Sequence, residues 1–186
     1  LIWYGWISSH KIDGNVEIDT TTGEEYLRSL LTGGYHRSQS ESSGYNVCRE
    51  TYLGTNLKYE INGWKVGLTG AYQLFSIPLI KAVQNYNKFE FRGSSNMNIG
   101  FDYTKNFRNL LIFGEVSTCT NFSIAYLNGI LISAGKNLSF SIAHHNYSKE
   151  FHSLKSNAIG SNTNPANENG IYFGTSLKLN RAFVII

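Results

Sequence analysis

The chain is 186 residues long, with 12 Tyr, 11 Phe, 18 Gly and only 2 Pro, a balance that suits strands and tight turns better than helices. Its formal net charge of +3 is small and spread along the sequence, so no basic footprint of nucleic-acid binding exists. No run of about 18 apolar residues occurs, which excludes a spanning helix but not a spanning strand of about 9–11 alternating residues.

In chain order, residues 2–8 read as a strand that opens on aromatics (Trp3, Tyr4, Trp6). Residues 11–18 and 25–32 read as two more, joined by the polar stretch 19–23. Residues 35–46 are Ser-rich and aperiodic, a long loop or a loop with one helical turn. Strands 48–61 and 64–75 follow, and 76–93 breaks the alternation with Pro78. Alternation returns over 96–104, 110–117, 122–133 and 138–143, with turns at 105–109, 118–121 and Gly135-Lys136. A long polar loop, 149–169, precedes a strand at 171–179, and Asn180-Arg181 turns into a final strand. The chain starts at Leu1 and stops inside that strand, so the expectation is one segment, 1–186, truncated at both ends.

The strongest local signal is Asn62-Gly63 between two alternating runs, because both residues tolerate the positive φ of a two-residue hairpin. That turn sets Ile61 opposite Trp64, Tyr59 opposite Val66 and Leu57 opposite Leu68 on one face. The other face sets Glu60 opposite Lys65 and Asn56 opposite Thr69, a consistent register.

The predicted fold is all-β: an antiparallel up-and-down meander of about ten or eleven long strands, part of a transmembrane β-barrel. Short turns fall at every second connection, and the long loops 35–46, 76–93 and 149–169 fall among the others, with Ser9-His10 and 118–121 as short exceptions. One rim of tight turns facing a rim of long loops is what outer-membrane barrels have. One face is Leu, Ile, Val and aromatics; the other is Gly, Ala, Ser, Asn and Thr rather than Lys and Glu. The first is assigned outward, with aromatics near strand ends as a girdle. Asn128 on that face has no explanation in the pattern.

Several segments resemble the large outer-membrane β-barrel proteins of Gram-negative bacteria that often carry an upstream helix-hairpin-helix region. They are Gly34-Tyr35-His36-Arg37 with Ser40-Glu41, Arg49-Glu50, the run 86–93, Phe113-Gly114-Glu115 and the run 167–174. They cover part of a barrel only. The resemblance implies an outer-membrane location and a barrel larger than this chain. The helix-hairpin-helix part is absent, so no nucleic-acid contact is carried over.

His36, Arg37, Glu41, Arg49 and Glu50 cluster around the first long loop, with Arg92 from the second. They suit a loop-borne binding site or, more simply, a salt-bridge network that folds the loops onto the rim. Lys58, Glu60, Lys65, Asp102 and Glu115 are candidate lumen charges, which can set selectivity or pair with one another. Asp102 and Glu115 lack the nucleophile, metal or positioned His that catalysis needs. His144-His145 sends one imidazole to each face and so cannot chelate one metal. Cys48 and Cys119 stand three strand steps apart, roughly 14–15 Å, too far for a disulfide. They are expected to be free thiols.

The sequence therefore predicts a non-enzymatic outer-membrane β-barrel segment, without cofactor or metal. Its partners are outer-membrane lipid and an unidentified solute or surface ligand that it passes or binds. A small structural or adhesive barrel, or a soluble β-barrel or sandwich that binds a ligand, are the alternatives. An outer-membrane lipase would need a rim Ser-His constellation that the sequence does not offer.

Overall fold

The computed structural model describes residues 1–31, 33–34, 37–161, 165–178 and 184–185. Among them are β1 (Ile2–Ile12), β2 (Gly14–Ile18), β3 (Glu25–Leu30), the single turn of helix α1 (Gln39–Ser43), β4 (Cys48–Ile61) and β5 (Trp64–Leu79). Then come β6 (Gly93–Phe107), β7 (Leu110–Cys119), β8 (Ile124–Ser133), β9 (Leu138–Tyr147), β10 (Glu168–Lys178) and β11 (Val184–Ile185). They form one all-β sheet, a mainly antiparallel meander with the path β1-β4-β5-β6-β7-β8-β9-β10-β11. The described path ends at β1 and β11, which do not pair, so the sheet is not closed.

Asn62 and Gly63 have φ of 50° and 75°, the left-handed values that a two-residue hairpin demands. Asn56 Nδ2 donates to Thr69 Oγ1 at 2.7 Å, in the register the turn predicts. The strands run longer than the sequence suggests. β5 continues through Pro78 to Leu79, because Pro78 lies beyond the start of β4 and its missing N–H costs no bond there. At that end β3 takes over as the neighbour: Leu27 pairs with Leu79 in parallel and Ile80 N donates to Leu27 O at 2.9 Å. β6 likewise runs through Lys105 to Phe107, leaving Arg108-Asn109 as the turn. The second long connection accordingly shrinks to 80–92.

One topological expectation is corrected. β1 lies beside β4, not β2, and β2 with β3 forms a separate short hairpin off the main path. Five and six residues are too few to keep pace with neighbours of 11 and 14. The hairpin closes on itself instead: Asp19 N donates to Glu24 O and Gly23 N to Asp19 O. With β1 continuous to Ile12, the expected connection at Ser9-His10 disappears. The long connections of the path are then 13–47, 80–92 and 148–167, its first, third and seventh, with the fifth, 120–123, short. The predicted turn at Asn180-Arg181 lies outside the described residues.

The chain divides into two compact units. One comprises Leu1–Tyr4, Asn56–Gly70 and Asn98–Ile186, the other Gly5–Thr55 and Ala71–Met97. In the second, Leu27, Cys48, Phe75, Leu79 and Phe91 are buried, with the rings of Phe75 and Phe91 6.2 Å apart. In the first, Phe151 from the third long connection is buried with Cys119, Ala125 and Tyr147, and Ala158 packs against them.

The two faces of the strands have opposite fates. Leu57, Leu68, Phe101, Val116, Ile130 and Ile142 are exposed, whereas Glu50, Gln73, Asn96 and His145 are buried. The apolar side is the open one. Asn128, polar on that side, receives a hydrogen bond from Tyr103 Oη at 2.8 Å. Gly114 sits between them in the cross-strand row Tyr103–Gly114–Asn128. A Cβ there would lie 2.4 Å from Asn128 Oδ1 and 2.7 Å from the Tyr103 ring, so only glycine lets the two meet.

Both cysteines are free and buried, as the strand separation predicts. Cys48 Sγ lies 3.6 Å from Ser76 Oγ, and Cys119 Sγ accepts from His152 N at 3.3 Å. Burial shields a thiol from reagent. The folded protein should therefore react slowly with maleimide, and the unfolded, unreduced protein should take up two equivalents. Any label that requires prior reduction would contradict this.

Candidate functional site

Of the rim cluster expected from the sequence, the described side chains of Arg49, Glu50 and Arg92 have separate partners. His36 lies outside the described residues, and of Glu41 only the backbone, within α1, is described. Arg37 is exposed. Arg49 and Glu50 are neighbours in β4 and so point to opposite faces. Arg49 donates through Nη1 to Ser9 Oγ at 3.4 Å, while Glu50 is buried. Glu50 meets His10 Nε2 at 3.0 Å and accepts from Gln73 Nε2. Three strands thus share one polar contact. Arg92 donates to the carbonyls of Lys81, Asn87, Lys88 and Glu90 and to Asn87 Oδ1, at 3.0–3.1 Å. It is a clamp that folds the 80–92 connection through backbone carbonyls.

Of the candidate lumen charges, Asp102 and Glu115 are direct cross-strand partners on the polar face. Gly67 gives Asp102 its room, since a Cβ there would lie 2.1 Å from Oδ2. Among the described residues no cation pairs with either carboxyl. Lys58, Glu60 and Lys65 are exposed near the Asn62-Gly63 turn. The lysine that does work at that turn is Lys105, unremarked in the sequence: Nζ donates to Asn62 O and lies 5.3 Å from the Trp64 ring centre.

The polar face of β7–β9 is covered by the third long connection. Asn98 Nδ2 donates to His152 O and Asn121 Nδ2 to Glu150 O, both at 2.7 Å, and Tyr147 Oη donates to Ile159 O at 2.8 Å. Beneath it lies a cavity of about 240 Å³ bordered by Glu115, Ser117, Tyr147, Phe151 and Ile159. Beside it, His145 is stacked between Tyr147 and Tyr172, with ring centres 4.8 and 5.6 Å away. Its Nε2 lies 3.1 Å from Glu168 Oε1, and Glu168 also accepts from Ser161 N at 2.8 Å. His145 therefore ties β9 to β10 and, through Glu168, to the connection. His144 takes the other face, as predicted, 3.2 Å from Asn169 Oδ1. No local signal links residues 23 positions apart, so the His145–Glu168 pair was invisible in the sequence.

A larger cleft, about 770 Å³, opens between the β2–β3 hairpin and the 80–92 connection. Arg28 Nη1 pairs with Glu17 Oε1 at 2.8 Å on one wall, and Lys81 pairs with Glu90 on the other. The hydrogen bonds from Arg28 and then Tyr26 hold the Glu17 carboxyl below the usual carboxylate range. Chemically, these surfaces offer hydrogen-bond donors and acceptors and balanced charge. Among the described residues no cluster of three His, Cys, Asp or Glu could hold a metal ion. Comparison with protein-family models, with curated proteins and with solved structures finds no match for this chain.

Proposed function

We propose that the chain is a segment of a non-enzymatic, porin-like β-barrel in the outer membrane of a Gram-negative bacterium, serving passage or surface binding. The observation that carries this reading is the row of exposed apolar side chains along one face, Leu57, Leu68, Phe101, Val116, Ile130 and Ile142, while Glu50, Gln73, Asn96 and His145 are buried on the other beside Phe75, Leu79 and Tyr147. A water-soluble sheet does the reverse, and an exposed apolar patch beyond a few hundred Å² calls for lipid or a partner. The lengths agree, since strands β4–β10, of 10–16 residues, exceed the usual mode of about 5–6 and are long enough for a tilted span of about 9–11. Trp64 and Tyr59 near the tight-turn end suit an interfacial girdle. The third long connection, folded onto the polar face, would narrow a passage there without closing the chemistry of its walls.

Two measurements test this. Washed membranes should retain the chain until detergent is added; recovery in detergent-free buffer refutes the membrane reading. In planar bilayers the reconstituted protein should give discrete conductance steps. Silent bilayers with retained membrane binding would exclude passage and leave the anchoring or adhesive role.

A further inference from the structure

We propose that the cleft between the β2–β3 hairpin and the 80–92 connection binds a neutral oligosaccharide. This deepens the surface-binding half of the reading above and rests on it. The size comes first: about 770 Å³ lies within the range of about 300–1,000 Å³ for small-molecule sites and has room for several sugar units.

Charge decides the class. The cleft holds two cations and two anions, and each is already paired, Arg28 with Glu17 and Lys81 with Glu90. A charged ligand would have to compete with one of these partners and strand the other. An apolar ligand meets the wrong walls, because Val16 and Ala82 are the aliphatic side chains among mostly polar lining residues. What remains unspent is neutral hydrogen-bonding capacity. The carboxamide of Gln84 has no hydrogen-bond partner among the described residues, and Asn15 uses only Nδ2, toward Ser29 Oγ at 2.9 Å.

Tyr86 borders the cleft and is 86% exposed, yet its loop is among the most heavily tied in the chain. Asn87 accepts from Gln84 N at 2.8 Å and donates to Ala82 O at 3.0 Å, and Arg92 clamps the carbonyls on either side. A rigid loop that holds an aromatic ring in the open pre-organises a stacking surface. A pyranose has what this surface lacks: a C–H face for the ring and hydroxyls for the amides.

The test is an array of neutral and anionic oligosaccharides probed with the full chain in detergent micelles, then titration of the best neutral ligand. Binding should fall on neutral glycans, persist in Tyr86→Phe and weaken at least about tenfold in Tyr86→Ala, with a smaller loss in Gln84→Ala. Circular dichroism should be unchanged, since both side chains make no internal bond among the described residues. Binding confined to anionic glycans, binding to no neutral glycan, or affinity unchanged in Tyr86→Ala would overturn the proposal. Conductance and membrane retention report on the barrel separately, so a failure of glycan binding is distinguishable from a failure of the membrane reading.

Discussion

Leu68→Arg should destabilise the protein in lipid by about 2–4 kcal/mol, read as a lower denaturation midpoint in bilayers. Leu68 is half exposed on the apolar face of β5. In a soluble sheet such a position would accept arginine at almost no cost. In lipid the guanidinium must lose its water or drag water with it, and Val66 on the same strand and Leu57 across from it are aliphatic. The control is the next residue. Thr69 faces the polar side and accepts from Asn56 Nδ2 at 2.7 Å. Thr69→Arg therefore forfeits one hydrogen bond, about 1 kcal/mol, and gains an aqueous wall for its charge. The comparison must be made in lipid and again in mild detergent. If Thr69→Arg proves the costlier in both, the apolar face is buried against protein and the barrel reading falls.

That experiment turns on a feature the sequence made legible, the two-residue period. Asn62-Gly63 fixed the register of β4 and β5, and the alternation around it separated the faces correctly, because strand side chains alternate whatever lies beyond them. Pairing partners were harder. Nothing local tells β1 to skip β2 and join β4, since that choice depends on which strands are long enough to cover one another. Pro78 misled for a related reason: it breaks a strand only where a neighbour needs its N–H, and β4 has already ended there. The site chemistry was least legible. Asn128 looked like a misfit until Tyr103, 25 residues away, supplied its partner. His10, Glu50 and Gln73 carry no shared motif and meet only because β1, β4 and β5 are adjacent. Conversely Arg92, conspicuous beside other charges in the sequence, spends its donors on its own loop.

The contact among those three strands gives the other large effect. Gln73→Leu should cost about 2–3 kcal/mol, because the buried carboxyl of Glu50 loses its carboxamide donor and gains a methyl wall. His10→Ala should cost less. Its side chain is 49% exposed, so water can take the vacated position, whereas none reaches Gln73 at 4% exposure. The decisive variant is the double one. Glu50→Leu with Gln73→Leu removes acceptor and donor together, and a polar contact replaced by packed aliphatic groups is often nearly neutral. The double variant should therefore be more stable than Gln73→Leu alone, with a coupling of about 1–2 kcal/mol in a double-mutant cycle. A double variant that instead sums the single losses would mean Glu50 draws no stability from Gln73.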